Sequence, residues 1–197
     1  MSFKLGLTGS IGMGKSTTAQ MFADAGCDVW DADAAVHRLY AKHGKAVQAI
    51  AQSFPAAIVN DAVDRGALRD LISKDATVLK HLETIVHPLV RLDRAEFAAS
   101  ARGDVLVFDI PLLFETGAED EMDAVVCVSV SPELQEKRVL ERGTMTRDQF
   151  RAIRDKQMPN DEKCARSDFV ITTETLEDVR RQVHDVLDQI RGTKTNA

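Results

Sequence analysis

Gly9-Ser10-Ile11-Gly12-Met13-Gly14-Lys15-Ser16 follows directly on an apolar run at residues 3–7. The spacing is Gly, any four residues, Gly, Lys, then Ser or Thr, and each part has a phosphate-binding task. The glycines let the backbone turn tightly and bring its N–H groups against phosphate oxygens. A helix starting near Lys15 points the positive end of its dipole at the same anion. Lys15 then reaches the β- and γ-phosphates, and the Ser16 hydroxyl sits on a magnesium ion. A chance match in a chain of 197 residues is on the order of one per cent. Strand, glycine loop and helix in that order open a parallel α/β sheet and predict a nucleotide phosphate site.

Working outward, residues 15–25 read as the helix, with Ala19, Phe22 and Ala23 on its apolar face and Gly26 as its C-terminal cap. A short strand at residues 28–30 runs into Asp31-Ala32-Asp33. Residues 34–101 are helical in pattern. Val36, Leu39 and Tyr40 share one face, as do Val47, Ile50, Ala51 and Phe54; Leu68, Leu71 and Ile72 mark a third helix. A fourth carries Leu79, Leu82, Ile85 and Val86 and is expected to be interrupted at His87-Pro88, where proline removes a backbone donor and either kinks the helix or begins a new one. So long a block exceeds one crossover, which predicts an inserted helical cap. Apolar runs at 105–110 and 125–130 read as strands buried on both faces. Helices over 133–142 and 147–157, a last strand at 169–172 and an amphipathic helix carrying Leu176, Val179, Val183, Val186 and Ile190 complete the chain. A polar, frayed tail is expected from Gly192.

The segment 131–166 differs electrostatically. It carries a local charge of +2 within a chain of net charge −6, so the remainder holds −8. Arg138 and Arg142 are four apart on one helix face, and Arg147, Arg151 and Arg154 line another. Solvated, salt-bridged faces explain any one of these arginines; as a group downstream of a phosphate loop they predict a mobile lid over triphosphate. The acidic overall balance and only ten aromatic residues argue against nucleic acid and acidic membranes as partners. Cys27, Cys127 and Cys164 are isolated in sequence and form neither a disulfide framework nor a zinc motif. With no signal peptide and no apolar run of membrane-spanning length, the chain reads as cytoplasmic. A monomer is expected, an oligomer being left open.

A phosphate loop alone does not separate a kinase from a switch or a motor. No Asn-Lys-x-Asp motif is present, which counts against a GTPase. Asp31 and Asp33 sit at the C-terminal end of the second strand, the edge where such sheets bind ligands. A carboxylate there accepts the proton of an attacking hydroxyl. Either aspartate also suits a helix N-cap, and the two tasks are compatible.

Several stretches together resemble the dephospho-coenzyme A kinase family of P-loop kinases, relatives of the nucleoside monophosphate kinases. They are LTGSIGMGKST at 7–17, DVWDAD at 28–33, ETIVHPLV at 83–90, DIPLLFE at 109–115 and VSVSPELQEKRVLER at 128–142. Gln157-Met158-Pro159, Glu162-Lys163 and SDFVI at 167–171 continue them in the family's order. The resemblance implies ATP-dependent phosphorylation of the ribose 3′-hydroxyl of dephospho-coenzyme A, a small-molecule acceptor, with Mg²⁺ as the metal. It implies Asp33 as general base, with Lys15, Ser16 and the amides of Gly12, Met13, Gly14 and Thr17 on the ATP phosphates. Arg142 would close on ATP with Arg138 beside it. His37, His87, and the run Leu112, Leu113, Phe114 and Glu115 would line the acceptor pocket; a structural hydrogen bond before Pro88 fits His87 equally, and a charged strand-end residue is the plainer account of Glu115. Asp109 would be a magnesium-side acid beside Ser16. The sequence departs from the family at Met13, where a small residue is common, and at Thr172-Thr173-Glu174, where Asp-Asn and a glycine are common. The expected architecture is an α/β five-stranded parallel P-loop kinase core (1–33, 102–130, 167–197), a helical acceptor cap (34–101) and a helical lid (131–166).

Overall fold

The computed structural model describes residues 2–195, with side chains described as far as Gly192. Its apolar segments fold as the pattern requires. Strands β1 (Phe3–Thr8), β2 (Asp28–Asp31), β5 (Val105–Asp109), β6 (Ala124–Ser129) and β7 (Phe169–Thr172) form one sheet in the order β2-β5-β1-β6-β7. The sheet is parallel, as the α/β expectation required. β1 lies centrally, in register Leu5↔Val107 with β5 and Leu7↔Val126 with β6. Its two neighbours come from later in the chain, so the loop leaving its C-terminal end sits at a switch point in strand order, where such sheets leave a crevice.

The chain forms two compact units, one made of residues up to Trp30 together with those from Ala101 onward, the other of Asp31–Ser100. In the first unit, alternate residues of the strands (Leu5, Leu7, Val105, Val107, Val126, Val128, Ile171) pack with α1 (Lys15–Asp24) and α9 (Leu176–Thr195). Phe22 of α1 and Val183 and Leu187 of α9 are completely buried there. Burying each such side chain contributes about 1.5–3 kcal/mol. Gly26, at φ 90°, follows α1 as the expected cap. Leu176 is 65% exposed, although the periodicity places it on the apolar stripe. It is the first residue of α9, and it lines a surface cavity rather than the sheet. The helix continues through Gly192 to Thr195, beyond the end expected from composition; residues 196 and 197 of the expected frayed tail lie outside the described residues.

After β6, Ser131 caps α6 (Pro132–Glu141) by accepting from the Leu134 amide, and Thr146 and Gln149 form a capping box on α7 (Arg147–Arg154). The predicted 147–157 helix therefore stops earlier, and a separate α8 (Asn160–Arg166) follows Pro159. Proline disfavours helical backbone at Met158, the residue before it, which keeps α7 and α8 from joining.

The second unit holds α2 (Ala32–Tyr40), α3 (Val47–Ser53), α4 (Arg65–Lys74) and α5 (Thr77–Ser100) around Leu39, Ile50, Leu68, Leu82 and Val86. Two features differ from the all-helical reading. A small hairpin pairs β3 (Ile58–Val59) with β4 (Ala62–Val63) through Asn60 and Asp61, both at positive φ (52° and 63°), as a tight two-residue turn demands. α5 also runs unbroken through His87-Pro88. Both residues are exposed, as is Thr84, whose carbonyl loses its amide partner to the proline.

Candidate active site

The loop after β1 is set by two glycines. Met13 N donates to Ser10 O (3.2 Å) with Gly12 at φ 81°, closing a type II turn whose third position requires positive φ. Gly14, at φ 90°, forms the N-cap of α1 without a side-chain cap. A Cβ at Gly14 would lie 3.0 Å from Thr173 Oγ1, so the position excludes a side chain on both counts. The amides of Lys15, Ser16 and Thr17 then open a helix with no acidic residue in its first turn, an uncompensated positive helix end. Met13 is buried, so its side chain turns into the core and leaves its backbone to the loop.

Lys15 Nζ is ion-paired with the Asp109 carboxylate at the end of β5, whose side chain is 3% exposed. Ser16 and Thr17 are exposed. Among the described residues no group of three or more His, Cys, Asp or Glu is arranged to hold a metal. The donors that Ser16 and Asp109 offer are hard oxygens, few in number. This fits Mg²⁺, which takes one or two protein oxygens and fills its shell with water and phosphate.

Beyond the loop, a cavity of about 390 Å³ is lined by Gly14, Thr17, Arg138, Arg142, Thr173 and Leu176, among others. Arg138 near the end of α6 donates to Thr173 O (2.6 Å), Thr173 Oγ1 (3.1 Å) and Glu174 O (3.1 Å). Thr173 Oγ1 donates onward to Met13 O at 2.7 Å. The Arg138 guanidinium is thus engaged with the segment after β7, which it ties to the phosphate loop. Thr173, one of the departures noted above, is the buried middle of that chain. Arg142, at the C-cap of α6, is exposed and makes no ion pair among the described residues. Arg147 pairs with Glu136 (2.7 Å) and Arg154 with Asp155 (2.8 Å).

The turn after β5 is organised from below. Lys163 of α8 is completely buried; its Nζ donates to Pro111 O (2.8 Å) and pairs with Glu115 Oε1 (2.9 Å). Thr8 Oγ1 donates to the same Pro111 carbonyl (3.2 Å), and Glu115 Oε1 also accepts from Met158 N (3.0 Å). Burial pushes the Glu115 carboxyl up, but the bonds from Lys163 and Met158 outweigh it and hold the group below the usual carboxylate range. The Glu115 carboxylate is therefore engaged by Lys163 and Met158, Leu113 and Phe114 are buried, and Leu112 alone of that run is an exposed apolar residue, at 43%.

The remaining predicted residues lie in the second unit. Asp31 is the N-cap of α2, accepting from Ala34 N at 2.9 Å. Asp33, in the first helical turn, is exposed and makes no hydrogen bond or ion pair among the described residues. The cap and the candidate base are thus different aspartates. His37 is exposed on α2 and His87 exposed on α5.

The cysteines, isolated in sequence, are not isolated in space: Cys164 Sγ lies 3.5 Å from Cys127 Sγ. Burial raises the Cys127 thiol well above its usual range, and burial likewise pushes Cys27 up to about 11. The family-like stretches include Gln135, Gln157 and Lys163, and Thr173 is one of the departures, but neither these nor Asn160 received a task in the site from sequence. Each acts through a partner more than 30 positions away.

The chain is similar to known proteins in sequence and fold. The family model described as CoaE, dephospho-CoA kinase, matches residues 3–178. A dephospho-CoA kinase of Ruegeria pomeroyi is 63% identical, with each chain covered in full. Among solved structures, a protein of Thermus thermophilus superposes with TM-score 0.84 at 34% identity, covering 95% of this chain and 97% of that one. The dephospho-CoA kinase of Campylobacter jejuni gives TM-score 0.70 at 26% identity with both chains covered completely. With its phosphate loop, parallel sheet and nearly whole length matched in this way, the chain belongs to the dephospho-CoA kinase family, kinases of coenzyme A biosynthesis that use ATP.

Proposed function

We propose that the enzyme transfers the γ-phosphoryl group of ATP to the ribose 3′-hydroxyl of dephospho-coenzyme A, giving coenzyme A and ADP. The observation that carries this reading is the glycine-turned loop feeding an uncapped helix N-terminus, joined to a family match over residues 3–178. The amides of Gly12, Met13, Gly14, Lys15, Ser16 and Thr17 bind phosphate oxygens, and the Lys15 ammonium neutralises charge as it moves to the leaving β-phosphate. Ser16 and Asp109 would hold Mg²⁺, which would supply charge neutralisation to the phosphates when bound. Arg142, exposed on the arm of residues 131–166, closes on the triphosphate, and Arg138 braces the segment that flanks the nucleotide. Asp33 takes the proton of the attacking hydroxyl. Its carboxylate is available for that task because Asp31 has taken the helix cap. His37, His87, Leu112 and Glu115 contribute to the acceptor side, Glu115 through the turn it holds. We place the activity in the cytoplasm, in a monomer. No helix among the described residues is long and apolar enough to cross a membrane.

ADP release from ATP should depend on both dephospho-coenzyme A and Mg²⁺. Turnover with a nucleoside monophosphate or shikimate, and none with dephospho-coenzyme A, would overturn the substrate assignment. Asp33→Asn should lower kcat by about 10²–10⁴ while ATP affinity stays close to wild type. Unchanged kcat in that variant would remove Asp33 from the chemistry.

A further inference from the structure

A phosphate loop has more backbone N–H groups than its ligand uses, and the surplus must find partners elsewhere. Here the partners come from the arginine-bearing arm. Ser10 N donates to Asn160 Oδ1 and Ile11 N to Gln157 Oε1, each at 3.0 Å. Ile11 O accepts from Gln135 Nε2 at 2.6 Å. Asn160 is fixed in orientation, because its Nδ2 donates to Val128 O (3.2 Å) while its Oδ1 receives the loop amide. Gln135 is nearly fully buried on α6, and Gln157 lies between α7 and α8. One peptide unit on each side of Ile11 is thus gripped by a glutamine, one using its donor end and the other its acceptor end. The stretch between those two glutamines carries Arg138, Arg142, Arg147, Arg151 and Arg154.

We infer that Gln157 and Gln135 are positioning residues for the phosphoryl donor. They hold Ile11 so that the loop keeps its phosphate-receiving shape, and they anchor both roots of the arm to that residue. The physical basis is preorganisation: a loop already fixed spends none of its binding free energy on ordering. Leaving Ile11 N without its acceptor both strands a backbone donor and frees the turn. This rests on the reading of the loop as an ATP site, and it adds two residues that the loop motif does not contain. It also makes ATP affinity, rather than acceptor affinity, the quantity the glutamines control.

The position of Ile11 supplies an independent check. It is the second residue of the type II turn closed by Met13 N and Ser10 O, the place where proline fits best. Ile11→Pro removes the N–H that Gln157 satisfies and fixes φ covalently, so it makes the Gln157 bond unnecessary.

The test measures the Kd of Mg-ATP by titration calorimetry on the full-length enzyme, with KM for ATP and for dephospho-coenzyme A alongside. Gln157→Met should raise the Kd and KM for ATP about tenfold and leave the acceptor KM within about twofold. In the Ile11→Pro background the same substitution should change the ATP Kd by less than about twofold. If Ile11→Pro melts well below wild type, Gln157→Glu in high salt takes its place. It retains the acceptor oxygen and should bind ATP close to wild type. Unchanged ATP affinity in Gln157→Met, an equal loss in the proline background, or Gln157→Glu as weak as Gln157→Met would each overturn the inference. Absence of ATP binding by the wild-type protein would instead overturn the ATP reading itself, and this proposal with it.

Discussion

Replacing Lys163 by Met removes a charge that has no contact with solvent and leaves the Glu115 carboxylate facing the space it occupied. Truncating one partner of a buried ion pair costs about 3–5 kcal/mol, because the surviving charge remains desolvated. Two features place this site at the lower end, about 3 kcal/mol. The Glu115 side chain is 21% exposed, and it keeps the Met158 amide as a donor at 3.0 Å. Pro111 O loses one of its two donors but retains the Thr8 hydroxyl. In a chain of this length the loss corresponds to roughly 6–12 °C in Tm. The single Trp30, buried against Phe108 at a ring separation of 6.2 Å, reports unfolding of the sheet unit by fluorescence. Adding Glu115→Gln should recover about 1–2 kcal/mol, since it replaces the stranded carboxylate with a neutral amide. The pH dependence has a definite sign. The folded Glu115 carboxyl sits below its unfolded value, so its contribution is fully present above the ordinary carboxylate range and is lost as pH falls through the lower folded value. Glu115→Gln should therefore flatten the acid limb of stability below about pH 4.5. A Lys163→Met loss under about 1 kcal/mol, or no recovery in the double variant, would refute the argument that this pair holds the turn.

Gly14→Ala meets both a positive φ of 90° and Thr173 atoms at 3.0–3.2 Å, so ATP binding should weaken by about tenfold or more, as measured by calorimetry. A near-normal Kd would mean that the loop and the Thr173 segment shift together. In alkylation at pH 8 followed by peptide mass spectrometry, Cys164, half-buried, should react before Cys27 and Cys127, whose buried thiols are raised. Equal labelling of Cys27 would contradict its burial.

The segments read correctly from sequence are those whose signal is local. The five strands are short apolar runs, the first helix announces its start by the glycines, and the last shows the 3.6-residue period. The misreadings have equally definite causes. The Asn60–Asp61 hairpin was hidden because each of its strands is two residues long, too short to show alternation against a helical background. The helix continues through His87-Pro88 although an interior proline costs about 3 kcal/mol; burial of Leu82 and Val86 on the same helix, at about 1.5–3 kcal/mol each, offsets it. Spacing alone could not distinguish Asp31 from Asp33 as a cap; the bond to Ala34 N assigns it to Asp31.

The order of apolar runs and one eight-residue spacing were enough to predict a parallel sheet opening on a phosphate loop; the strand order that puts this loop at a switch point came from the structure. Backbone geometry near glycine depends on the nearest residues and little else. What holds that loop was decided only in three dimensions. Thr173, Gln135, Gln157 and Asn160 meet residues 10–13 through bonds that span more than 120 positions of chain, and Lys163 becomes fully buried opposite Glu115. Local pattern does not reveal the partners of such residues, because a polar side chain gains its partner from the packing of the sheet and helices, not from its neighbours in sequence.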